Sequence, residues 1–535
     1  MSWDAECDVV VVGSGGGALI GAYVAGSKGL KTILVESTDK FGGTTAYSGS
    51  GMWLPTNPVL KRAGFEDTLE AAKTYYRAVV GDRTPRELQD AFLENGAPMI
   101  AYLEQNPMLK WEVFPWPDYF GSAPRASAAG KRHIISQALP AAELGPLFDH
   151  LRAPVTTERQ GSPRPDVLFG GQALIGRLLL ACKNTGNVEL RHSTPMESLI
   201  VENGRVAGIV AKSDGKTIRI KAARGVLMAA GGFEQNAEMR KRYGVPATTA
   251  WSMGAPGSLG RPIEAGIEIG AATDLMGECW WSPGLMHPDG TATFSVGLLG
   301  GIFVNGRGER FVNESQGYDR LGRKVIADQA AGIPAIPFWQ IYDARFGQRP
   351  PVMNVSVALA EPEAYVAAGL WKTADTIEGL AKEIGVPAAA LKATIDRFNG
   401  FARSGVDEDF HRGEEAYDKF FVDAPLPESN LVALESPDFG DAIGSAVSKN
   451  ANLIPIDKPP FYAASYGVSD LGTKGGLKTD AKARVLRPDG SVIAGLYAAG
   501  NTQAAVSGLT YPAGGNPIGS CAVFSYLAAL DMAAR

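Results

Sequence analysis

Cysteine and histidine are scarce in this 535-residue chain, four and five residues respectively, and neither is arranged for chemistry. Cys7, Cys182, Cys279 and Cys521 are scattered and form no CxxC pair, which argues against a disulfide framework or a zinc site. His133, His150, His192, His287 and His411 show no HExxH or HxH spacing, so no metal centre is expected. Long apolar runs are missing too, since no stretch approaches the roughly 20 residues of a membrane span. The opening MSWDAECDVV is acidic where a secretory leader would be basic, and the expectation is a soluble, cytoplasmic protein. An excess of positive charge is also lacking. Fifty-one Lys and Arg face 57 Asp and Glu, a net of -6, so nucleic acid is not an expected partner.

Glycine is abundant instead, 65 residues or about 12% against a usual ~7%, with no Gly-X-Y period. Its placement is informative. Val9 to Val12 form a β-branched run that reads as a strand buried on both faces, and Gly13-Ser14-Gly15-Gly16-Gly17-Ala18 follows it directly. Gly13 permits the tight turn and Gly15 a close approach to a pyrophosphate. Ala18 stands for the third glycine, and the helix that begins here offers its positive end to the phosphates. Lys31 to Val35 then read as a second strand ending at Glu36, where a carboxylate can accept ribose hydroxyl bonds. The pattern predicts a dinucleotide-binding βαβ unit.

A second small-residue loop comes next, Ser37-Thr38-Asp39-Lys40-Phe41-Gly42-Gly43-Thr44-Thr45-Ala46-Tyr47-Ser48-Gly49. A simple NAD domain has no need of it, whereas a flat isoalloxazine ring does, so FAD is favoured. Gly225 to Phe233, containing Ala230 and Gly231, reads as the strand that returns to the nucleotide domain. Before it a hairpin is predicted, with Leu199 to Val201 and Val206 to Val210 flanking Asn203-Gly204. Ser491 to Leu530 has no charged residue but is broken by Gly, Pro, Asn and Ser, so it is interior rather than membrane-spanning. In it Gly495 to Ala499 is read as a strand and Gly500-Asn501-Thr502 as a turn. Asn516-Pro517-Ile518-Gly519 opens a final helix whose positive end can face a reduced flavin. The fold class is therefore α/β: a Rossmann-like FAD-binding domain, 1–285 and 460–535, with an α+β catalytic domain inserted at 286–459. Within the insert, Thr373 to Gly400 is read as two short helices broken by Gly385 and Pro387.

Several motifs together resemble the fumarate reductase and succinate dehydrogenase flavoprotein superfamily and, within it, the 3-ketosteroid Δ1-dehydrogenase family. They are KFGGTTAYSGSGMW (40–53), GDRTPRELQD (81–90), PWPDYFG (115–121), AAGGFEQN (229–236), WWSPG (280–284), SDLGTKGGL (469–477) and GLYAAGNTQAAVSGLTYPAGGNPIG (495–519), with ERFVNES and Tyr318 between them. The resemblance implies non-covalent FAD, a 3-ketosteroid substrate desaturated at carbons 1 and 2, and an external electron acceptor such as a quinone. It places the active site on Tyr119, Tyr318, Tyr511 and the backbone amide of Gly515. By that resemblance Tyr318, helped by Tyr119, takes a proton from carbon 2, while Tyr511 and Gly515 bond the ketone oxygen. A phenol of ordinary pKa ≈ 10 is ionised only about once in a thousand at pH 7, so activity should rise into the alkaline range.

Three rivals share part of this pattern: a Δ4-(5α)-dehydrogenase, a fumarate-type reductase, and a flavin-binding module without turnover. Trp280, Trp281 and Phe294 are read as core or pocket wall, and Arg310 and Arg320 as surface or fold-supporting residues. Ala513 stands where the family usually has glycine, which could change how the loop meets the steroid or the flavin. Phe421 to Asn452 is longer than the usual connection and reads as a lid, an interface or a solvated loop.

Overall fold

The computed structural model describes residues 2–128, 131–423 and 449–535, and the greater part of the long connection just mentioned, 424–448, lies outside them. Its core is a mixed sheet in the order Arg484–Leu486, Val492–Ala498, Lys216–Met228, Ala5–Val12, Thr32–Val35, Val188–Arg191. The four pairings from Val492–Ala498 to Val188–Arg191 are parallel. Along the first strand the alternation of side chains divides the valines. Val9 and Val11 pack into the apolar cluster that includes the helices Gly16–Ser27, Gly170–Asn184 and Asn516–Ala533, and Val10 and Val12 into the cluster on the opposite face. Each buried Val contributes about 1.5–3 kcal/mol relative to exposure, which explains the unbroken β-branched run. The predicted hairpin is present as Met196–Glu202 and Arg205–Ser213, with Asn203 and Gly204 both at positive φ, 50° and 75°, as a tight Asn-Gly turn requires.

A second sheet is antiparallel throughout, in the order Ile302–Val304, Phe338–Asp343, Phe461–Thr473, Cys279–Met286, Ala292–Leu298, Val352–Val355, with Trp371–Ala374 added against Phe461–Thr473. Its back is covered by the two helices expected from the sequence. Ile377–Ile384 is capped by Thr376, whose Oγ1 accepts from the Gly379 N–H at 3.0 Å, and closes on left-handed Gly385. Ala388–Ser404 follows Pro387. The domain boundaries shift relative to the sequence reading. Cys279–Met286 and Phe461–Thr473, assigned there to the FAD-binding domain, pair with each other inside the second sheet, so sheet membership puts the joins near residues 275 and 475. Both strands contain Gly and Ser, and the first also Pro, which hides them from a search for β-branched runs. Among the described residues no helix is long and apolar enough to cross a membrane.

Candidate active site between the two sheets

At the carboxyl end of Ala5–Val12 the chain turns through Gly13, φ 101°, whose Cβ would stand 2.5 Å from the Ala229 oxygen. Gly15 lies open: a Cβ there would meet nothing nearer than 3.6 Å. Ser14 Oγ donates to Glu36 Oε2 at 2.6 Å, tying the glycine turn to the acid that ends the second strand. Glu36 Oε1 accepts from the Ser37 hydroxyl and from the N–H and hydroxyl of Thr38. Close packing falls on Gly17 rather than on Ala18 alone. A Cβ at Gly17 would lie 1.9 Å from Cys521 Sγ, so this glycine lets the first helix touch the last one.

The second loop folds back over the first. Thr45 Oγ1 accepts from the Gly16 N–H at 3.1 Å, Gly42 has φ 123°, Gly43 faces Gly15, and Ser48 O accepts from the Gly171 N–H at 2.7 Å; Gly49 continues the loop against Gly170. Thr44 Oγ1 accepts from the Ala255 N–H at 2.9 Å. That bond draws in the 254–258 loop, and a Cβ on Gly257 would come within 3.7 Å of the Glu36 carboxylate. No local sequence pattern places this loop here. On the other side, the Ala230 N–H donates to Thr502 Oγ1, which donates in turn to the Gly231 carbonyl, and Gly500 has φ 63°. Asn501 Oδ1 accepts from Trp280 Nε1 at 3.0 Å. Asn516, Pro517 and Ile518 open the last helix, with the buried Asn516 side chain beside the Tyr76 hydroxyl. Open glycine backbone and a helix start without a side-chain cap fit a dinucleotide with its flavin.

Beside this cradle three phenols converge. Tyr119 and Tyr318 have ring centroids 5.2 Å apart, Tyr119 and Tyr511 5.4 Å, and Tyr318 and Tyr511 5.4 Å, each pair edge to face. All three are buried. Tyr318 is the first residue of helix Tyr318–Ala330, and a Cβ on Gly317 would press the Tyr119 ring at 3.0 Å. Tyr511 precedes left-handed Gly515, φ 78°, the residue before helix Asn516–Ala533, and the Gly515 N–H bears on the Tyr511 hydroxyl. Phe294 packs its edge on Tyr318 at 4.9 Å and Trp280 on Tyr511 at 5.0 Å, so both form walls of the site.

Burial raises all three phenols. Tyr318 is held well above the ordinary phenol range, first by desolvation and then by the charge that Tyr119 or Tyr511 would carry. Tyr119 is raised in the same way, while the Tyr318 hydroxyl and the Trp116 indole pull in the opposite direction. Tyr511 is pushed up to about 12 by burial, against the Tyr318 hydroxyl and the Gly515 N–H. The Tyr119 hydroxyl makes no hydrogen bond of good geometry among the described residues.

Several members of this site are invisible in the sequence. Tyr417, on helix Ala416–Asp423, places its ring 4.8 Å from Tyr119, and its buried hydroxyl bears on the Tyr119 hydroxyl. Trp116 stands edge-on to Tyr417, and a Cβ on Gly514 would meet both the Trp116 Nε1 and the Tyr119 hydroxyl at 2.9 Å. Asp118 anchors the segment. It accepts from Trp53 Nε1, the Ser127 N–H and Arg132 Nη1, and its carboxyl is raised to about 6 by burial against the Arg132 charge. The Pro512 carbonyl accepts from both the Tyr119 N–H, 3.0 Å, and the Tyr75 hydroxyl, 2.5 Å, which locks the two tyrosine-bearing loops together. Arg320 supports the same place, with Nη1 3.3 Å from the Tyr119 carbonyl and 3.2 Å from Glu415. Arg310 is not at the surface: it is buried between Glu314 and Asp407 in a fold-supporting ion network. Ala513 is fully buried in the cluster that holds Trp53 and Tyr75, and its backbone bridges to Asp118, the residue before Tyr119.

The sequence matches the FAD binding domain family over residues 8–518. It is 37% identical to 3-oxosteroid 1-dehydrogenase of Mycobacterium tuberculosis, covering 99% of this chain and 98% of that protein. It is also 33% identical to 4-oxocyclohexanecarboxylate 2-dehydrogenase of Sinomonas cyclohexanicum, over 99% and 93%. Among solved structures it is similar to 3-ketosteroid delta1-dehydrogenase from Sterolibacterium denitrificans, determined in complex with 1,4-androstadiene-3,17-dione, with a TM-score of 0.85, 33% identity and 99% coverage of both chains. From end to end, the chain belongs to the FAD-binding flavoprotein family that includes the 3-oxosteroid 1-dehydrogenases.

Proposed function

We propose that this chain is an FAD-dependent 3-ketosteroid Δ1-dehydrogenase, converting a 3-keto-4-ene steroid into the 1,4-diene-3-one. The observation that carries the reading is the convergence of three buried phenols, from positions 119, 318 and 511, beside the Gly515 N–H. When bound, FAD supplies the acceptor for the hydride that leaves carbon 1. The residues that would hold it are Gly13, Ser14, Gly15, Gly17, Ala18, Glu36 and Ser37 at the nucleotide end. Gly42, Gly43, Thr44, Thr45, Ser48, Gly49, Ala230, Gly231, Gly500, Asn501, Asn516, Pro517 and Ile518 would line the rest.

The protein's own part is to move one proton and hold one oxygen. A hydrogen beside a ketone becomes acidic as charge moves onto the carbonyl oxygen, and Tyr511 with the Gly515 N–H donates to that oxygen; one such donor contributes ~10²–10³ in rate. Tyr318 accepts the proton from carbon 2, and Tyr119 shares the charge this leaves on it. Aromatic walls at Phe294, Trp280 and Trp116 exclude water and suit a flat ring. A small crevice beside Tyr318 has a mixed lining, Val296, Leu298, Leu321 and Val352 with Ser295, Glu314 and Gln316. The electrons pass on to an external acceptor such as a quinone, and the compartment is cytoplasmic.

Anaerobic addition of a 3-keto-4-ene steroid to the FAD-loaded protein tests this. The flavin should bleach within one turnover, with the 1,4-diene-3-one as product. No bleaching, or bleaching only with 4-oxocyclohexanecarboxylate or with a saturated 5α-3-ketosteroid giving a 4-ene, overturns the assignment.

A further inference from the structure

Behind Tyr511 lies a lysine that the mechanism above does not use. Lys474 is fully buried, and lysine is almost never so unless it is paired. Its Nζ donates to the carbonyl oxygens of Thr510 at 2.8 Å and Leu509 at 3.2 Å, and stands 4.2 Å from the centroid of the Trp280 ring. Burial lowers its pKa to about 7, against the pull of Asp319. Asp319 Oδ1, on the residue after Tyr318, lies 3.9 Å away, while its Oδ2 accepts from Arg323 Nε at 2.8 Å.

The lysine is itself held rigidly. Its N–H donates to the Glu278 carbonyl at 2.7 Å, and its carbonyl accepts from the Ala505 N–H at 3.0 Å. The turn it grips is closed by Ser507 Oγ to the Thr510 oxygen and by Thr510 Oγ1 to the Ser507 oxygen. Trp280 is fixed through Nε1 to Asn501 and leans its ring on Tyr511. The ammonium thus touches both supports of one phenol: the peptide leading into it and the indole beside it.

We propose that Lys474 is a positioning residue for the ketone-binding donor, gripping the 507–510 turn and backing Trp280 so that the Tyr511 hydroxyl stands where the steroid's 3-keto oxygen arrives. This rests on the reading of Tyr511 as that donor. Burying a cation is costly, and a side chain that served packing alone would be an apolar one of the same volume. Donors to a developing oxyanion must be held within ~0.5 Å, and a misplacement of about 1 Å costs ~10²-fold in rate.

The test uses FAD-loaded protein carrying Lys474→Met, Tyr511→Phe, and both. Tyr511→Phe should lower kcat by ~10²-fold or more. Lys474→Met should lower kcat by ~10–10²-fold with KM within about threefold. In the Tyr511→Phe background the same change should cost less than about threefold, because the donor it positions is already gone. A steroid with a phenolic A ring, whose oxygen resembles the enolate, gives a readout without turnover: by calorimetry Lys474→Met should weaken its binding ~10-fold. An equal loss in both backgrounds, or unchanged kcat and unchanged binding of the phenolic steroid, overturns the proposal. Normal turnover in Tyr511→Phe instead removes the donor reading on which it rests. Should Lys474→Met fail to retain FAD, Lys474→Gln is measured in its place against the same outcomes.

Discussion

Replacing Tyr119 by Phe takes from the phenol cluster a hydroxyl that lies among the Tyr318 and Tyr417 hydroxyls and the Trp116 indole. Its loss should slow the chemistry, and Tm reports separately any cost to the fold. A hydrogen bond to a charged group contributes ~1.5–3 kcal/mol, so loss of the Tyr119 hydroxyl from a Tyr318 phenolate should slow proton removal by ~10–10²-fold. Burial already lifts Tyr318 well above the usual phenol range, so the rate should climb with pH in both proteins. The variant's curve should lie below the parent's across the range. The assay is anaerobic stopped-flow reduction of the flavin by a 3-keto-4-ene steroid between about pH 7 and 10, with FAD content and Tm as controls. Traces that superimpose within about twofold at every pH would refute the idea that the two hydroxyls share the charge, and a flat parent profile would refute a tyrosine base altogether.

Further outcomes follow from other contacts. Tyr318→Phe should retain FAD and steroid binding while losing nearly all flavin reduction in the same assay; near-normal rates would remove Tyr318 from the reaction. Tyr417→Phe, which touches the site through Tyr119, should slow reduction by only ~2–10-fold, the span of an ordinary hydrogen bond, and a larger loss than in Tyr119→Phe would contradict that order. Gly17→Ala drives a methyl into Cys521 Sγ and should destabilise the protein by ~1–3 kcal/mol, with partial recovery in Gly17→Ala/Cys521→Ala; denaturant titration that shows no recovery would exclude this clash as the cause. His133 is buried, and desolvation with help from the Arg132 charge lowers its pKa to about 3. The fold favours neutral imidazole, so this stability is complete above the unfolded value of ≈ 6.5 and is lost as pH falls toward 3, about 2 kcal/mol by pH 5. His133→Gln should remove that acid-side slope, and an identical slope in the variant would assign it to other groups.

The parts of the site written in consecutive residues were legible. Val9 to Val12, the glycine turn, Glu36 and the Asn203-Gly204 hairpin depend on local backbone demands, and each lies where the sequence put it. The convergence of Tyr119, Tyr318 and Tyr511 came from motif resemblance, because nothing in spacing relates positions 119 and 511. Tyr417, Trp116, Lys474 and the Asp118–Arg132 pair were not legible for the same reason: each matters through partners far along the chain, as when Lys474 grips a turn 35 residues on and Tyr417 meets a ring some 300 residues earlier. The pairing of Cys279–Met286 with Phe461–Thr473 was not legible, because burial by that pairing removes the need for strongly β-forming side chains in either.

The shared Pro512 carbonyl also bears on motion. Because the Tyr119 amide and the Tyr75 hydroxyl both end on it, one acceptor couples the 119 and 511 loops, while Arg320 on the Tyr318 helix bonds the Tyr119 carbonyl and Trp280 leans on Tyr511. A shift of any one of the three rings is therefore transmitted to the other two.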